Sequence, residues 1–180
     1  MLHAFLFTTT LLLAPAFPPD HPGQPVPTQV LGEYFVKNTT PIPPSGMLTL
    51  VVKNQEAFDQ VFQQVPPLGL RRPGGPKPDQ KKTTPLPRDA FPGHVVLAVA
   101  TRAHASAEYS QVKVTRMDDT IRLHFKSSVH ETKRLGKADP KSSAAVFVSP
   151  LIVMVPAKAL EGVKSVEFAQ DGSTPVVEKP

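Results

Sequence analysis

HVVLAVAT, at residues 94–101, is the stretch that decides the fold. It is apolar almost throughout and rich in valine, which is typical of a central strand buried on both faces. A second stretch, TIRLHFK at residues 120–126, alternates apolar with polar residues instead. That alternation is typical of a strand with one buried and one solvated face. We therefore expect a sheet whose central strand is covered on both sides.

The remaining strand signals surround these two stretches. Asp118-Asp119 separates residues 109–117 from 120–126 and predicts a hairpin with a two-residue turn. Ser149-Pro150 interrupts an apolar run, which indicates an edge or a bulge because proline lacks a backbone donor. Runs rich in branched residues predict further strands at 29–36, 47–53, 146–148, 151–155 and 164–169.

One helix is expected, over residues 54–65. Asn54 is a good N-cap, and Phe58, Val61 and Phe62 recur at helical spacing before Pro66-Pro67. Such a stripe can bind a partner, but it more often packs on a sheet. The sequence thus predicts an α+β fold: a mostly antiparallel sheet or small β-sandwich of six to seven strands, with one packed α-helix.

The first sixteen residues predict a cleavable signal peptide. An apolar stretch of about eleven residues ends in Ala14-Pro15-Ala16, a small-x-small pattern typical of signal peptidase sites. As a helix it would span about 16 Å, too little for the ~30 Å core of a bilayer. Residues 17–28, rich in proline, are then a spacer, residues 29–172 a single β-rich domain, and residues 173–180 a disordered tail. We expect the protein to act in the periplasm or outside the cell, without a transmembrane anchor.

Composition narrows the classes of function. The chain has no cysteine, which excludes disulfides, a thiolate nucleophile and a cysteine metal site. The net charge is +5, which in an exported protein favours anionic envelope polymers over nucleic acid. Much of the excess lies in residues 66–92, where eight prolines favour a mobile loop. Its basic residues form a candidate anion-binding loop: Arg71, Arg72, Lys77, Lys81, Lys82 and Arg88.

No catalytic constellation emerges from the six histidines or the serines. The histidines lack the paired helical spacing of zinc hydrolases, and no Gly-x-Ser-x-Gly motif is present. We therefore predict no catalytic residue, no metal ligand and no cofactor. A metal-dependent hydrolase that uses His94, His124 or His130 stays open as an alternative, since distant residues can converge in space.

Several short motifs resemble the PrcB C-terminal-like domain family over about residues 58–171. They are Phe58-Asp59, Phe91 before Val95-Val96, Ser149-Pro150 with Val155-Pro156, and Val166-Glu167-Phe168. The chain has Ala107-Glu108-Tyr109 where the family has Gly-Gly-Tyr. The family is named after an accessory subunit of a bacterial surface protease complex, so the resemblance implies a small extracytoplasmic accessory domain.

The function expected from the sequence is thus a non-catalytic binding or accessory module of the periplasm or cell surface. Its partner is expected to be another envelope or secreted protein, a protease being one candidate. Electrostatic binding of anionic envelope polymers through residues 66–92 is a second alternative.

Overall fold

A computed structural model describes residues 23–41, 43, 46–64, 84–103, 106–130 and 147–180. This part of the chain holds one α-helix, one 3₁₀ helix and eleven strands. The helix α1 is Gln55–Val61, and the 3₁₀ helix is Ala157–Leu160. The strands are β1 Gln24–Pro25, β2 Gln29–Leu31, β3 Tyr34–Val36, β4 Met47–Val52, β5 Phe62–Gln64, β6 His94–Ala103, β7 Ser106–Met117, β8 Thr120–His130, β9 Phe147–Pro156, β10 Ser165–Gln170 and β11 Val176–Glu178.

The strands form two main sheets and one small pair. One sheet has four strands in the order β2-β9-β6-β4, all antiparallel. The other has five strands in the order β1-β7-β8-β10-β11, in which only β8 and β10 run parallel. β3 and β5 pair with each other. The described part of the fold is strand-rich and mostly antiparallel with a single α-helix, as predicted, but it has more strands than the six to seven expected.

The two main sheets pack face to face. Alternate residues of β6, among them Leu97 and Val99, point toward the five-stranded sheet and meet Leu123 and Phe125 of β8. We call this cluster the inner core. Each of those four side chains is fully buried. Apolar and polar residues alternate over 120–126 because one face of β8 packs on the inner core, as predicted.

A third layer covers the other face of the four-stranded sheet. Val96 and Ala98, which alternate with the inner-core residues of β6, pack with Phe58 of α1 and Phe62 of β5. We call this second cluster the outer core. The rings of Phe58 and Phe62 lie 5.0 Å apart, centroid to centroid. The prediction that residues 94–101 form a strand buried on both faces is confirmed.

The helix begins as predicted but ends earlier. Asn54 caps it, since its side-chain oxygen accepts a hydrogen bond of 2.8 Å from the backbone N–H of Ala57. The predicted end at residue 65 is wrong: Phe62 is already extended and pairs with Val36 of β3. The backbone groups of β5 thus form hydrogen bonds with β3, in place of the hydrogen bonds that another turn of helix would have given them.

The single strand predicted over residues 29–36 is two strands. Glu33 takes a positive φ of 64°, which breaks the extended chain between β2 and β3. β2 then pairs with β9 in the four-stranded sheet, and β3 pairs with β5 in the third layer. The periodicity of side chains does not show this break because both halves remain extended.

Both ends of the described chain join the five-stranded sheet. Within the predicted spacer, Gly23 lies so close to β7 that a Cβ there would be 2.8 Å from Cγ of Met117. The N–H of Val26 donates to the carbonyl of Val114 at 2.9 Å. Within the predicted disordered tail, β11 pairs with β10 and Val176 packs on the inner core. Pairing with a preformed edge orders these short segments, which composition alone marks as unstructured. The predicted signal peptide lies outside the described residues.

The predicted hairpin is confirmed, with an irregularity. Asp118 occupies the turn with a positive φ of 49°, which aspartate tolerates better than most residues. β7 carries a bulge between Ser110 and Lys113, where Gln111 also has a positive φ. The bulge turns Val112 onto the inner core and leaves Lys113 opposite His124 on the outer face of the sheet.

Candidate functional site

The histidines singled out as alternative ligands belong to different parts of the fold. His94 begins β6, and its Nδ1 lies 3.1 Å from the carbonyl oxygen of Ala90. His124 lies on the outer face of the five-stranded sheet, where its Nε2 is 3.0 Å from Oδ1 of Asp171. The backbone of His130 pairs with Ser106, and its side chain lies outside the described residues. The structure therefore gives His94 and His124 separate partners and does not bring them together.

Metal-ligating side chains do not converge in the part of the chain that the structure describes. No three histidine, aspartate or glutamate side chains of those residues are close enough together to hold a metal ion. Of the candidate anion-binding loop, only Arg88 is described, and it is exposed. Arg71, Arg72, Lys77, Lys81 and Lys82 lie outside the described residues.

Charged side chains on the outer face of the five-stranded sheet form cross-strand pairs. Nε of Arg122 lies 2.7 Å from Oε2 of Glu167 on the neighbouring strand β10. At the hairpin turn, Nζ of Lys164 lies 3.0 Å from Oδ2 of Asp119. The hydrogen bond and the positive charge of Lys164 hold the pKa of Asp119 below its ordinary value. These charges therefore have partners within the fold.

Arg116 ties the same hairpin to the 3₁₀ helix. Its guanidinium donates to the carbonyls of Ala159 at 3.1 Å and Glu161 at 2.8 Å. Because it uses several of its donors within the fold, Arg116 has a structural role at the end of the sandwich.

In the described part of the chain, β4 is an edge strand of the four-stranded sheet. Within the described residues, β4 pairs with β6 on one side and with no strand on the other. Its pairing with β6 is regular from Met47 to Val52, without a bulge. These six residues contain no charge and no proline, and their side chains pack partly on both cores. β4 is therefore a regular strand that has a strand neighbour on one side only in the described structure.

β11, the edge strand of the other sheet, lies beside β4. The hydroxyl of Thr49 donates to Oε1 of Glu178 at 2.6 Å, which joins the two edge strands across the gap between the sheets. Thr49 is the one buried polar side chain of the described residues. We define the open side of the sandwich as β4, β11 and Lys53, which follows β4 directly and is exposed.

The sequence predicts only part of the open side. It predicted a strand at residues 47–53, but sheet order decides whether a strand is central or at an edge, and periodicity does not reveal sheet order. Glu178 was missed, because it falls in the predicted disordered tail. The signal available was the pair Val176-Val177 between polar residues, which is compatible with a short edge strand.

Comparisons with protein-family models, with curated proteins and with solved structures find no match to this chain. Among the described residues, no helix has the length and apolar character needed to cross a bilayer.

Proposed function

We propose that this protein is an exported, non-catalytic binding or accessory module that acts in the periplasm or at the cell surface. We also propose that it binds another exported protein through the open side. The apolar N-terminal stretch ending in Ala14-Pro15-Ala16 supports export. The resemblance to PrcB C-terminal-like domains supports an accessory role, for which a protease is one candidate partner.

The position of β4 at the edge of its sheet, among the described residues, is the observation that carries the proposal. An exposed edge strand is a template for pairing with another chain, and proteins that avoid such pairing use charge, proline or a bulge. β4 has none of these between Met47 and Val52. It also belongs to a sheet buried on both faces, so the edge is held rigid before a partner arrives. Because β4 is already ordered, binding then costs little free energy for ordering it.

The polar groups elsewhere support a binding rather than a catalytic role. His94 bonds to a backbone carbonyl, and His124 pairs with Asp171. Arg122 and Glu167 pair across two strands. Each of these groups has a partner within the fold that explains its place, whereas β4 lacks a second strand neighbour among the described residues.

Replacement of Leu48 by lysine tests the proposal. Leu48 lies near the middle of β4 and is partly buried against the outer core. A lysine there places a charge at the edge, which opposes strand addition. We expect L48K to lose the envelope or secreted partner that wild-type protein retains in quantitative cross-linking. The matched control is V30K, at an exposed position of β2, the opposite edge strand of the same sheet.

Thermal unfolding of both variants checks that the fold persists. Retention of every partner by L48K, or equal loss in V30K and L48K, would contradict binding through β4. A wild-type protein that cross-links to no exported protein would contradict the function itself.

A further inference from the structure

We propose that a second copy of this chain pairs with β4 and covers it until the partner protein displaces that copy. The two β4 strands run antiparallel, with Thr49 of each copy opposite Lys53 of the other, so that a two-fold axis passes beside Val51. This arrangement continues the antiparallel order of the four-stranded sheet into the second molecule. The displacement by a partner rests on the proposed function, whereas the pairing of the two copies does not.

The stretch from Thr49 to Lys53 is the part of β4 that the second copy contacts. Among the described residues, β4 has β6 as its strand neighbour on one side and no strand on the other. No loop or turn of the described chain forms a backbone hydrogen bond with this stretch. Met47 makes an interaction of its own and lies outside the stretch, because the proposed register places it opposite Gln55 of α1. Pairing of the copies therefore displaces no backbone hydrogen bond of the described chain.

The side chains of β4 alternate between the two faces of the sheet. Val51 packs on the inner core, whereas Leu50 packs on the outer core. Thr49 also lies on the inner side, since its hydroxyl donates to Oε1 of Glu178 at 2.6 Å. By the same alternation, Lys53 belongs to the inner side. Residues directly opposite each other in an antiparallel pair share a face, so Lys53 of one copy comes to lie beside Thr49 and Glu178 of the other.

Two identical ion pairs form between the copies in this register. The ammonium group of Lys53 meets the Glu178 carboxylate of the other copy, and the two-fold axis repeats the contact. Lys53 is exposed, and no carboxylate of the described chain forms an ion pair with it. The Glu178 carboxylate accepts the hydrogen bond from Thr49 and retains acceptor capacity for a second donor. Each copy thus supplies both halves of the contact.

Charge selects this register over its neighbours. A register centred on Thr49 would bring the two Glu178 carboxylates together, which is destabilising for like charges. A register centred on Leu50 would place Lys53 opposite Met47, away from Glu178. In the proposed register, the residues of β4 on the outer side meet one another, and all of them are apolar.

The small size of the interface makes the dimer weak and reversible. The five residues from Thr49 to Lys53 are far fewer than the roughly 20–30 residues a side of a stable interface. A weak cover suits a docking edge, because a partner with further contacts can displace it. It also shields a strand that carries no charge, proline or bulge between Met47 and Val52 to prevent wrong pairing.

Charge reversal, first singly and then in a mixture, tests the pairing of the copies. K53E alone places glutamate opposite glutamate, and E178K alone places lysine opposite lysine. Each variant should therefore dimerise roughly tenfold more weakly than wild type. An equal mixture of K53E and E178K has opposite charges at both contacts and should recover the dimer. Sedimentation velocity over a concentration series at low salt measures the dissociation constants.

The mixture separates a contact between copies from a local disturbance, because mixing does not repair a disturbance within one copy. A wild-type protein that stays monomeric over the whole series would overturn the inference. So would a mixture that dimerises no better than the single variants.

A single cysteine beside the two-fold axis tests the register. The chain has no cysteine of its own, so V51C carries only the introduced thiol. Opposite residues of an antiparallel pair have Cα atoms about 4.5–5.5 Å apart, within the range of about 4.4–6.8 Å that a disulfide requires. Under mild oxidation, V51C should form a covalent dimer. L50C is the matched control and should not, since Leu50 faces Val52 in this register. A covalent dimer of L50C in place of V51C would contradict the register, and thermal unfolding of both reduced variants checks the fold.

The oxidised V51C dimer also tests whether the second copy covers the docking edge. It should lose the L48K-sensitive envelope partner, and reduction should restore that partner because the copies then dissociate. An oxidised dimer that retains the partner would show that the edge is not covered.

The inference and the proposed function fail in different ways. If V51C forms no covalent dimer while L48K still loses the partner, the pairing of copies is wrong and the binding function stands. If L48K retains the partner while V51C and the charge mixture dimerise as expected, the dimer stands and the proposed function through β4 fails.

Discussion

The two sheets of this protein meet solvent in opposite ways. The five-stranded sheet exposes a whole face, on which Arg122, Glu167 and His124 form cross-strand and turn contacts. Within the described residues, the four-stranded sheet is covered on both faces and ends in two edge strands, β2 and β4. The charges of the polar face are paired within the fold, whereas β4 lacks a second strand neighbour in the part of the chain that the structure describes. This contrast is the reason that we propose the less exposed sheet as the docking element.

The largest expected effect comes from placing a charge in the central strand. V96D and L97D point toward the outer and the inner core respectively, and both positions are fully buried. An unpaired buried carboxylate costs several kcal/mol, comparable to the whole stability of a domain, about 5–15 kcal/mol. Both variants should lose cooperative thermal unfolding.

K126D provides the matched control on the exposed face of β8. It should retain cooperative unfolding with a midpoint within a few degrees of wild type, because surface substitutions usually change stability by about 0.5 kcal/mol or less. A folded V96D would show that the helix layer does not cover the central sheet.

An intermediate effect is expected in the layer that covers the outer core. N54A removes the side-chain cap of α1 and should cost about 0.5–2 kcal/mol. Q60A, at an exposed position of the same helix, is the control and should cost less. Urea unfolding of both variants measures the difference. Equal losses would mean that the cap adds nothing to the covering of the four-stranded sheet.

The smallest effect concerns the exposed ion pair at the hairpin turn. Lys164 lowers the pKa of Asp119 in the folded state, so the pair stabilises the fold above the unfolded pKa of the carboxyl. That stabilisation is lost as the pH falls through the lowered folded pKa. As the pH is lowered through the acid range, D119N should therefore lose slightly less stability than wild type does. Near neutral pH, the stabilities of D119N and wild type should change with pH in parallel.

Thermal midpoints between about pH 2 and 7 measure this change. The variant D171N is the comparison, since Asp171 contacts His124 elsewhere on the same sheet. A D119N profile that parallels wild type through the acid range would show that the pair has no energetic role.

Local patterns in the sequence predict much of this fold. Residues 94–101 and 120–126 show their burial directly through their apolar pattern, and Asn54 marks the helix start. The early end of α1 and the break at Glu33 were missed, because both depend on pairing between β3 and β5. Such pairing is decided by tertiary contacts that override local propensity.

The candidate site depends even more on distant contacts. Met47–Val52 is a strand by composition, but it becomes an edge only because β9 and β2 occupy the other side of β6. Glu178 contributes only because β11 pairs with β10 and brings it to Thr49. Neither relation is encoded within a window of neighbouring residues, so one sequence does not reveal them.

The pairing of β2 with β9 has a consequence for the time course of folding. It joins Val30 to Val153, near opposite ends of the chain. Folds dominated by such distant pairings close their loops late and reach the native state in milliseconds to seconds. Before β9 pairs with β6, the edge of β6 that β9 will occupy has no partner. Other chains can then pair with this apolar strand. A ribosome-bound or truncated chain that stops short of residue 147 is therefore the form of this protein most prone to aggregate.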